Sequence, residues 1–260
     1  MEQILMREAS PLQPSQWQII DQTVKHVASQ ILVGRRFLSL YGPLGYGAYT
    51  VPLYSYVVKP GEPVRAELLE PLPLVEVARE FAIRAQDLAS FGAGQPFDTA
   101  PIAAAAALCA MDEDALIFKG LLGARNRVKA PLGDWNTEGQ ALADVSAAVA
   151  RLFANQIYGP YTVVMHPNRY ALLQRVYGRQ GILEEELLEK RVRGGLFQSP
   201  AMPEDRVLVI AAQPPFVDLA VGQDMVTAYL ESSAMEHRFR IFETVALRIK
   251  QPAAICTLEA

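Results

Sequence analysis

The chain has 260 residues with 51% hydrophobic content, enough to bury the core of one large domain or two lobes and too apolar for a disordered protein. Its 24 basic and 28 acidic side chains leave a formal charge of −4, without the Lys/Arg excess on which nucleic-acid binding depends. Only Cys109 and Cys256 are present, so no disulfide framework is indicated and a reducing cytoplasm fits. Met1 to Ser10 lacks a signal-peptide core, and the longest apolar stretch, near Ile102 to Met111, is too short to span a bilayer.

From Trp17, the apolar positions Trp17, Ile20, Val24, Val27 and Ile31 advance by three or four, the period of a helix with one apolar stripe. Pro14 and Ser15 mark its start. Asp21, Lys25, His26, Ser29 and Gln30 fall on the other face, so the helix is expected to lie on an apolar surface with its far side in water. Gly42, Gly45 and Gly47 permit turns. They fail as a phosphate cradle, because the Lys-Ser/Thr ending is missing and Pro43 removes an amide donor, and they read instead as a hinge. Tyr49 to Val58 has the aromatic and β-branched mixture of a strand, Pro60-Gly61-Glu62-Pro63 a tight turn, and Val64 to Leu69 a returning strand bounded by Pro71 and Pro73. Tyr46 to Pro73 is therefore predicted to be a projecting ribbon.

Asp98 or Thr99 can cap the next helix, Pro101 suits its first turn, and the Ala-rich Ile102 to Phe118 has high helix propensity until Gly120. So many small side chains suit a structural spine packed closely on a sheet. Within it, Asp112-Glu113-Asp114 fan over about 200° of helix and cannot all face one ion. A solvated face or a contact with a neighbouring molecule is expected. Between Pro131 and Ala220 the pattern predicts an α+β lobe: a helix over Ala141 to Asn155, a strand over Tyr161 to Met165, helices over Asn168 to Tyr177 and Glu184 to Arg193, and a strand over Arg206 to Ala211. Asp134-Trp135-Asn136 and Gln213-Pro214-Pro215 are its turn-like flanks. Leu219 to Tyr229 and Arg238 to Leu258 are rich in strand formers, with Phe239 and Ile241 on one side and Arg240 and Glu243 nearby.

Chemistry-bearing constellations are not found. His26, His166 and His237 have no HxxxH or CxxC-type spacing, so no metal site is expected. Cys109 has no cation beside it to activate the thiol, and no serine sits in a Gly-x-Ser-x-Gly elbow, so no catalytic residue is assigned.

Blocks along nearly the whole chain resemble an encapsulin: Arg7 with Ser10-Pro11-Leu12, Trp17, Leu32-Val33-Gly34-Arg35-Arg36, and Tyr41-Gly42-Pro43-Leu44-Gly45. Further blocks are Ala104 to Ala110 leading to Glu113-Asp114 and Ile117-Phe118, Pro131 to Trp135, Gly159-Pro160-Tyr161, Leu247 to Lys250 and Ala254 to Leu258. Together they look like the branch that packages iron-storage cargo. The resemblance implies an α+β fold of the phage major capsid protein type. Residues 1–45 would form the docking helix and the start of a peripheral domain, 46–73 an extended loop, 74–133 the peripheral domain with its spine helix, 134–221 an axial domain, and 222–260 the return to the peripheral domain.

The resemblance further implies a self-assembling icosahedral shell, a homo-oligomer without catalysis of its own. Such a shell would enclose a ferritin-like or other iron-oxidising guest, for iron storage and protection from oxidative stress, in a cytoplasmic nanocompartment. The guest would be held by a short terminal peptide, with Val27, Ile31, Arg35, Leu38, Asp224 and Met225 as the candidate contacts; ordinary core is the alternative for the aliphatic ones. By its position the loop Tyr177-Gly178-Arg179-Gln180-Gly181 resembles the five-fold pore segment; that Gly178 and Gly181 simply bound two helices is the alternative, favoured over a tuned selectivity role. Some members bear a Trp near the start of the spine region where this chain has Gln86, so no flavin and no other cofactor is expected. A prophage capsid protein is the rival reading, disfavoured because the chain opens almost at once on the docking helix. A hydrolase is the more distant one.

Overall fold

The computed structural model describes residues 2–57, 61, 63–92, 96–178, 181–233 and 235–259. Helix α1 (Pro14–Ile31) starts where the apolar stripe requires: Pro14 occupies the first turn, and the Gln16 side chain accepts the Gln13 N–H at 2.7 Å in a capping box. Trp17, Ile20, Val24 and Ala28 form its buried face. A helical turn, Gly34–Phe37, leads into strand β1 (Leu40–Tyr41).

The ribbon follows as β2 (Thr50–Val51), β3 (Tyr54–Val57), β4 (Arg65–Leu68) and β5 (Leu72–Pro73), with β2 antiparallel to β5 and β3 antiparallel to β4. Of the tight turn expected between them, Pro60 and Glu62 lie outside the described residues. The glycines at its root do not leave it free to swing. Gly42, at φ +126°, has the Val221 carbonyl oxygen 2.2 Å from where a Cβ would stand, and the Leu44 and Gly45 amides donate to Val221 and Gly222 at 3.0 and 2.8 Å.

Beyond the ribbon come β6 (Val75–Arg84), α2 (Ala85–Gly92), α3 (Ala100–Gly123), β7 (Val128–Pro131), α4 (Gln140–Ala154) and β8 (Tyr161–Met165). They are followed by β9 (Val176–Tyr177), β10 (Ile182–Leu183), α5 (Glu184–Val192), β11 (Arg193–Gln198) and β12 (Arg206–Ile210), and then by β13 (Val217–Val221), β14 (Val226–Ser233), β15 (Glu236–Ile249) and β16 (Ile255–Glu259). One five-stranded sheet runs β1-β13-β15-β14, with β6 along the opposite edge of β15. The other runs β11-β8-β12-β16-β7. The long β15 is thus shared by three partners, and the chain's last strand, β16, joins the second sheet, not the first.

Three elements depart from the sequence reading. The strand β6, unassigned from sequence, pairs with β15 over its whole length. The helix expected over Asn168 to Tyr177 is a single turn, Pro167–Ala171, after which Val176–Tyr177 pairs with Ile182–Leu183. The spine helix α3 runs on to Gly123; Thr99 makes no side-chain cap, while Asp98 accepts the Ala100 N–H at 3.0 Å. Ile102, Ala106, Cys109, Ile117 and Phe118 of α3 are fully buried in the main core, which α1 and the first sheet close. At its centre Phe239 stacks on Phe81 (5.1 Å between centroids) and meets Trp17 and Tyr229 edge-on at 5.7 and 5.5 Å.

Candidate functional site

The turn of chain after β13 and the start of β14 face helix α1 across a groove of about 750 Å³. Val24, Ala28 and Leu32 line it from the helix side, and Met225, Val226 and Thr227 from the sheet side. Ala28 and Leu32 are buried against Ala110 of the spine helix, with Ile31 and Met225 packed half-buried on the same cluster. Leu5, from the first turn of the chain, packs on Ala228 and Phe242 and also lines the groove.

Arg7 closes one end. Its guanidinium holds both oxygens of Asp21 at 2.7 Å, donates to the Thr227 carbonyl at 3.0 and 3.2 Å, and lies 4.4 Å over the Trp17 ring. A second cavity of about 630 Å³ continues beyond it, sharing Arg7, Asp21 and Lys25.

Arg35 closes the other end, and a charge cluster backs it. Its Nε and Nη2 donate to Glu113 at 2.7 to 3.0 Å, Nη2 also to Glu243, and Nη1 to Asp224 at 2.7 Å. Burial works against the guanidinium charge, but the hydrogen bond and charge of Glu113, with Glu243 and Asp224, raise the Arg35 pKa above its ordinary value. Burial, then the charge of Glu113, pushes the Glu243 carboxyl up to about 10. One residue along the helix, Asp114 accepts the Val33 and Gly34 amides at 2.8 to 3.1 Å; burial pushes it up to about 6 against those bonds. The backbone of Gly34 passes close to the spine helix there: a Cβ would stand 2.5 Å from the Ile117 Cδ1, which would have to shift.

The acidic run of α3 therefore divides. Asp112 is half-buried and pairs with Arg79 at 2.6 Å at the solvent side of the helix. Glu113 and Asp114 are buried instead, and they fix the turn that follows α1.

Of the six candidate contacts, the structure places Arg35, Asp224 and Met225 in the groove wall. Ile31 lies half-buried beneath them, Val27 is half-buried against the main core, and Leu38 is core at 4% exposure. Val24, Leu32, Leu5 and Arg7 are lining residues the sequence reading did not single out. Val24 was in the helix stripe, but nothing local distinguished it from core. In the pore segment, Tyr177 is half-buried, and the Gly178 amide donates to Glu138 at 2.6 Å. Gly178 and Gly181 have φ of +63° and +71°; Arg179 and Gln180 lie outside the described residues. Cys109 packs under β6, its thiol pushed up to about 12 by burial, whereas His166 caps the turn after β8, accepting the Asn168 amide at 3.2 Å.

A family model described as the encapsulating protein for peroxidase (Linocin_M18) matches residues 1–246. The type 1 encapsulin shell protein EncA of Myxococcus xanthus is 37% identical over 281 residues, spanning 100% of this chain and 97% of its own. The chain belongs to the encapsulin family. This encapsulin is 35% identical to a diheme-cytochrome-encapsulin shell fusion protein of Kuenenia stuttgartiensis, over 94% of the encapsulin and 72% of the fusion. It is 28% identical to a ferritin-like-encapsulin shell fusion protein of Pyrococcus furiosus, over 73% and 53% respectively. Its fold matches the virus-like particle of P. furiosus at a TM-score of 0.84 (23% identity, 94% of the encapsulin and 99% of that chain). It also matches the capsid of Myoviridae phage XM1 at 0.66 (13% identity, 88% and 92%). The α+β, phage-capsid-like fold expected from sequence is thus shared with both. The encapsulin is a shell protein and not an enzyme, and no helix among the described residues is long and apolar enough to cross a membrane.

Proposed function

We propose that copies of this chain close into an icosahedral container in the cytoplasm and hold a ferritin-like or other iron-oxidising guest, clasped by a short, mostly apolar terminal peptide of the guest laid in the groove beside α1. The observation that carries this reading is the groove itself. It is lined by Val24, Leu32, Met225 and Val226, and its walls are fixed by buried contacts, so a peptide would meet a formed surface and lose only its own freedom on binding. The names of the fusion relatives support a guest of redox or ferritin-like character.

In this reading the first sheet with α1 and α3 serves as peripheral domain, the ribbon 46–73 as extended loop, and the second sheet's lobe as axial domain with the 177–181 segment at a pore. The ribbon favours assembly on physical grounds. Tyr49 is 82% exposed and Leu68 61%, and a two-stranded projection is marginal alone, so a neighbouring copy would cover its apolar side chains and satisfy its edges. The test is to purify the protein from its native host and identify what travels with the particles by mass spectrometry. Wild type should carry a guest, and Met225→Asp should yield intact particles without it. A guest retained undiminished by Met225→Asp would overturn the groove as its site.

A further inference from the structure

Arg35 is where the groove wall meets the interior. Its inner edge is occupied by two fully buried carboxylates, Glu113 from α3 and Glu243 from β15, and only Nη1 points outward, to the 62%-exposed Asp224. The Asp224 Oδ1 that accepts from Arg35 also accepts the Met225 amide at 2.9 Å. A single carboxylate oxygen thus links the guanidinium to the backbone on which the groove's sheet-side wall begins. We infer that Arg35 is a positioning residue: held from behind by Glu113 and Glu243, it pins Asp224 and so sets the wall made by Met225, Val226 and Thr227. This rests on the groove being the guest site for its biological use, though not for its test.

The two carboxylates are not equivalent. Glu113 engages Arg35 with both oxygens, whereas Glu243 offers Oε2 alone, and its Oε1 is buried without a hydrogen-bond partner among the described residues. An ionised oxygen stranded there would be costly, and two ionised carboxylates behind one guanidinium more so. The arrangement balances when Glu243 keeps a proton, consistent with the upward push on it. The other groups around the pair do not offset it: the Cys109 thiol is held neutral by burial, and Arg79 of β6 is paired with Asp112. Glu243 is raised from 4.5 to about 10, so its contribution to stability is full only below about 4.5, declines as pH rises from there and is gone above about 10, where the folded chain takes on a second buried negative charge.

Hydrogen exchange of the assembled protein, read as protection factors for the amides of Met225 to Thr227, tests this without a guest. Asp224→Ala, a surface change that leaves the core intact, should lower protection there about tenfold, the scale of one lost charged hydrogen bond, with the rest of β14 and β15 unchanged. Glu243→Gln should match wild type at pH 7 and keep its protection through pH 10, where wild type loses it. The double variant Glu113→Gln/Glu243→Gln should loosen the wall at pH 7. The inference is overturned if Asp224→Ala and the double variant leave these amides as protected as in wild type, or if Glu243→Gln alone loosens them as much as the double variant. Absence of a guest on purified particles would count against the groove reading and leave these exchange results untouched.

Discussion

The groove and the ribbon are both apolar surfaces open to solvent, yet they are built in opposite ways. The groove's walls rest on buried Ala28, Leu32 and Ala110, and Arg7 and Arg35 tie its helix to a sheet contributed from the far end of the chain. The ribbon is seated only along its base, where Val51 is buried with Ala220 and Ala246, Tyr46 meets Phe242 edge-on at 5.4 Å and Tyr56 packs half-buried on the main core. Its attachments lie at the root, where Arg248, in a buried pair with Asp218 at 2.6 and 2.7 Å, donates to the Pro52 carbonyl at 3.2 Å, and Gln251 donates to Tyr56 at 3.0 Å. Between and beside those anchors, Tyr54 and Leu68, paired across β3 and β4, are both exposed. One surface is preformed by a single chain; the other is aimed by its chain and, in the proposed shell, is completed by another.

Substitutions that break or sharpen this contrast can be ranked by size. Phe239→Ala removes the ring of the main core on which Phe81, Trp17 and Tyr229 converge, and should cost about 3–5 kcal/mol in chemical unfolding. A cost below about 1 kcal/mol would mean that α1 is not seated on that core. Arg248→Met leaves Asp218 with Lys250 at 2.7 Å as its remaining cation, so the expected loss is about 3 kcal/mol, the low end for a broken buried pair. It should also loosen the ribbon without touching the groove.

The third effect is a pH dependence. Asp114 rises from 3.8 to about 6 on folding, so the native chain binds the extra proton and its stability falls by about 2–3 kcal/mol as pH climbs through that window. In Asp114→Asn that slope should vanish, which unfolding curves at pH 4 and pH 7 would reveal. Smallest for the single chain is Leu68→Ser: its unfolding should shift by no more than about 0.5 kcal/mol, while sedimentation should show weakened assembly. If instead its unfolding moved and its assembly did not, the ribbon would be part of the chain's own core.

Much of this architecture is written in local patterns, because helix α1 and strand β8 are set by periodicities that a short window contains. The stripe from Trp17 to Ile31 and the run Tyr161 to Met165 are legible for that reason. Strand β6 is not. Its exposed Glu76, Glu80 and Arg79 interrupt the alternation, and each is matched by a charge elsewhere: Arg240, Arg238 and Asp112. The groove was half visible. Arg35, Asp224 and Met225 came from resemblance, but the burial of Glu113 depends on Arg35, 78 residues away, and that of Asp114 on Gly34. Glu243 carries a local signal in the period-two register of β15. Two residues beyond Ile241, it shares the buried face of Phe239 and Ile241, not the side of Arg240.

The most direct test of the central claim is electron microscopy of the purified protein, with sedimentation velocity on the same sample. Closed, hollow, uniform particles are expected, and they should be lost or weakened when the ribbon's apolar residues are replaced. A well-folded 28.6 kDa monomer in every buffer, with the ribbon variants indistinguishable from wild type, would contradict it.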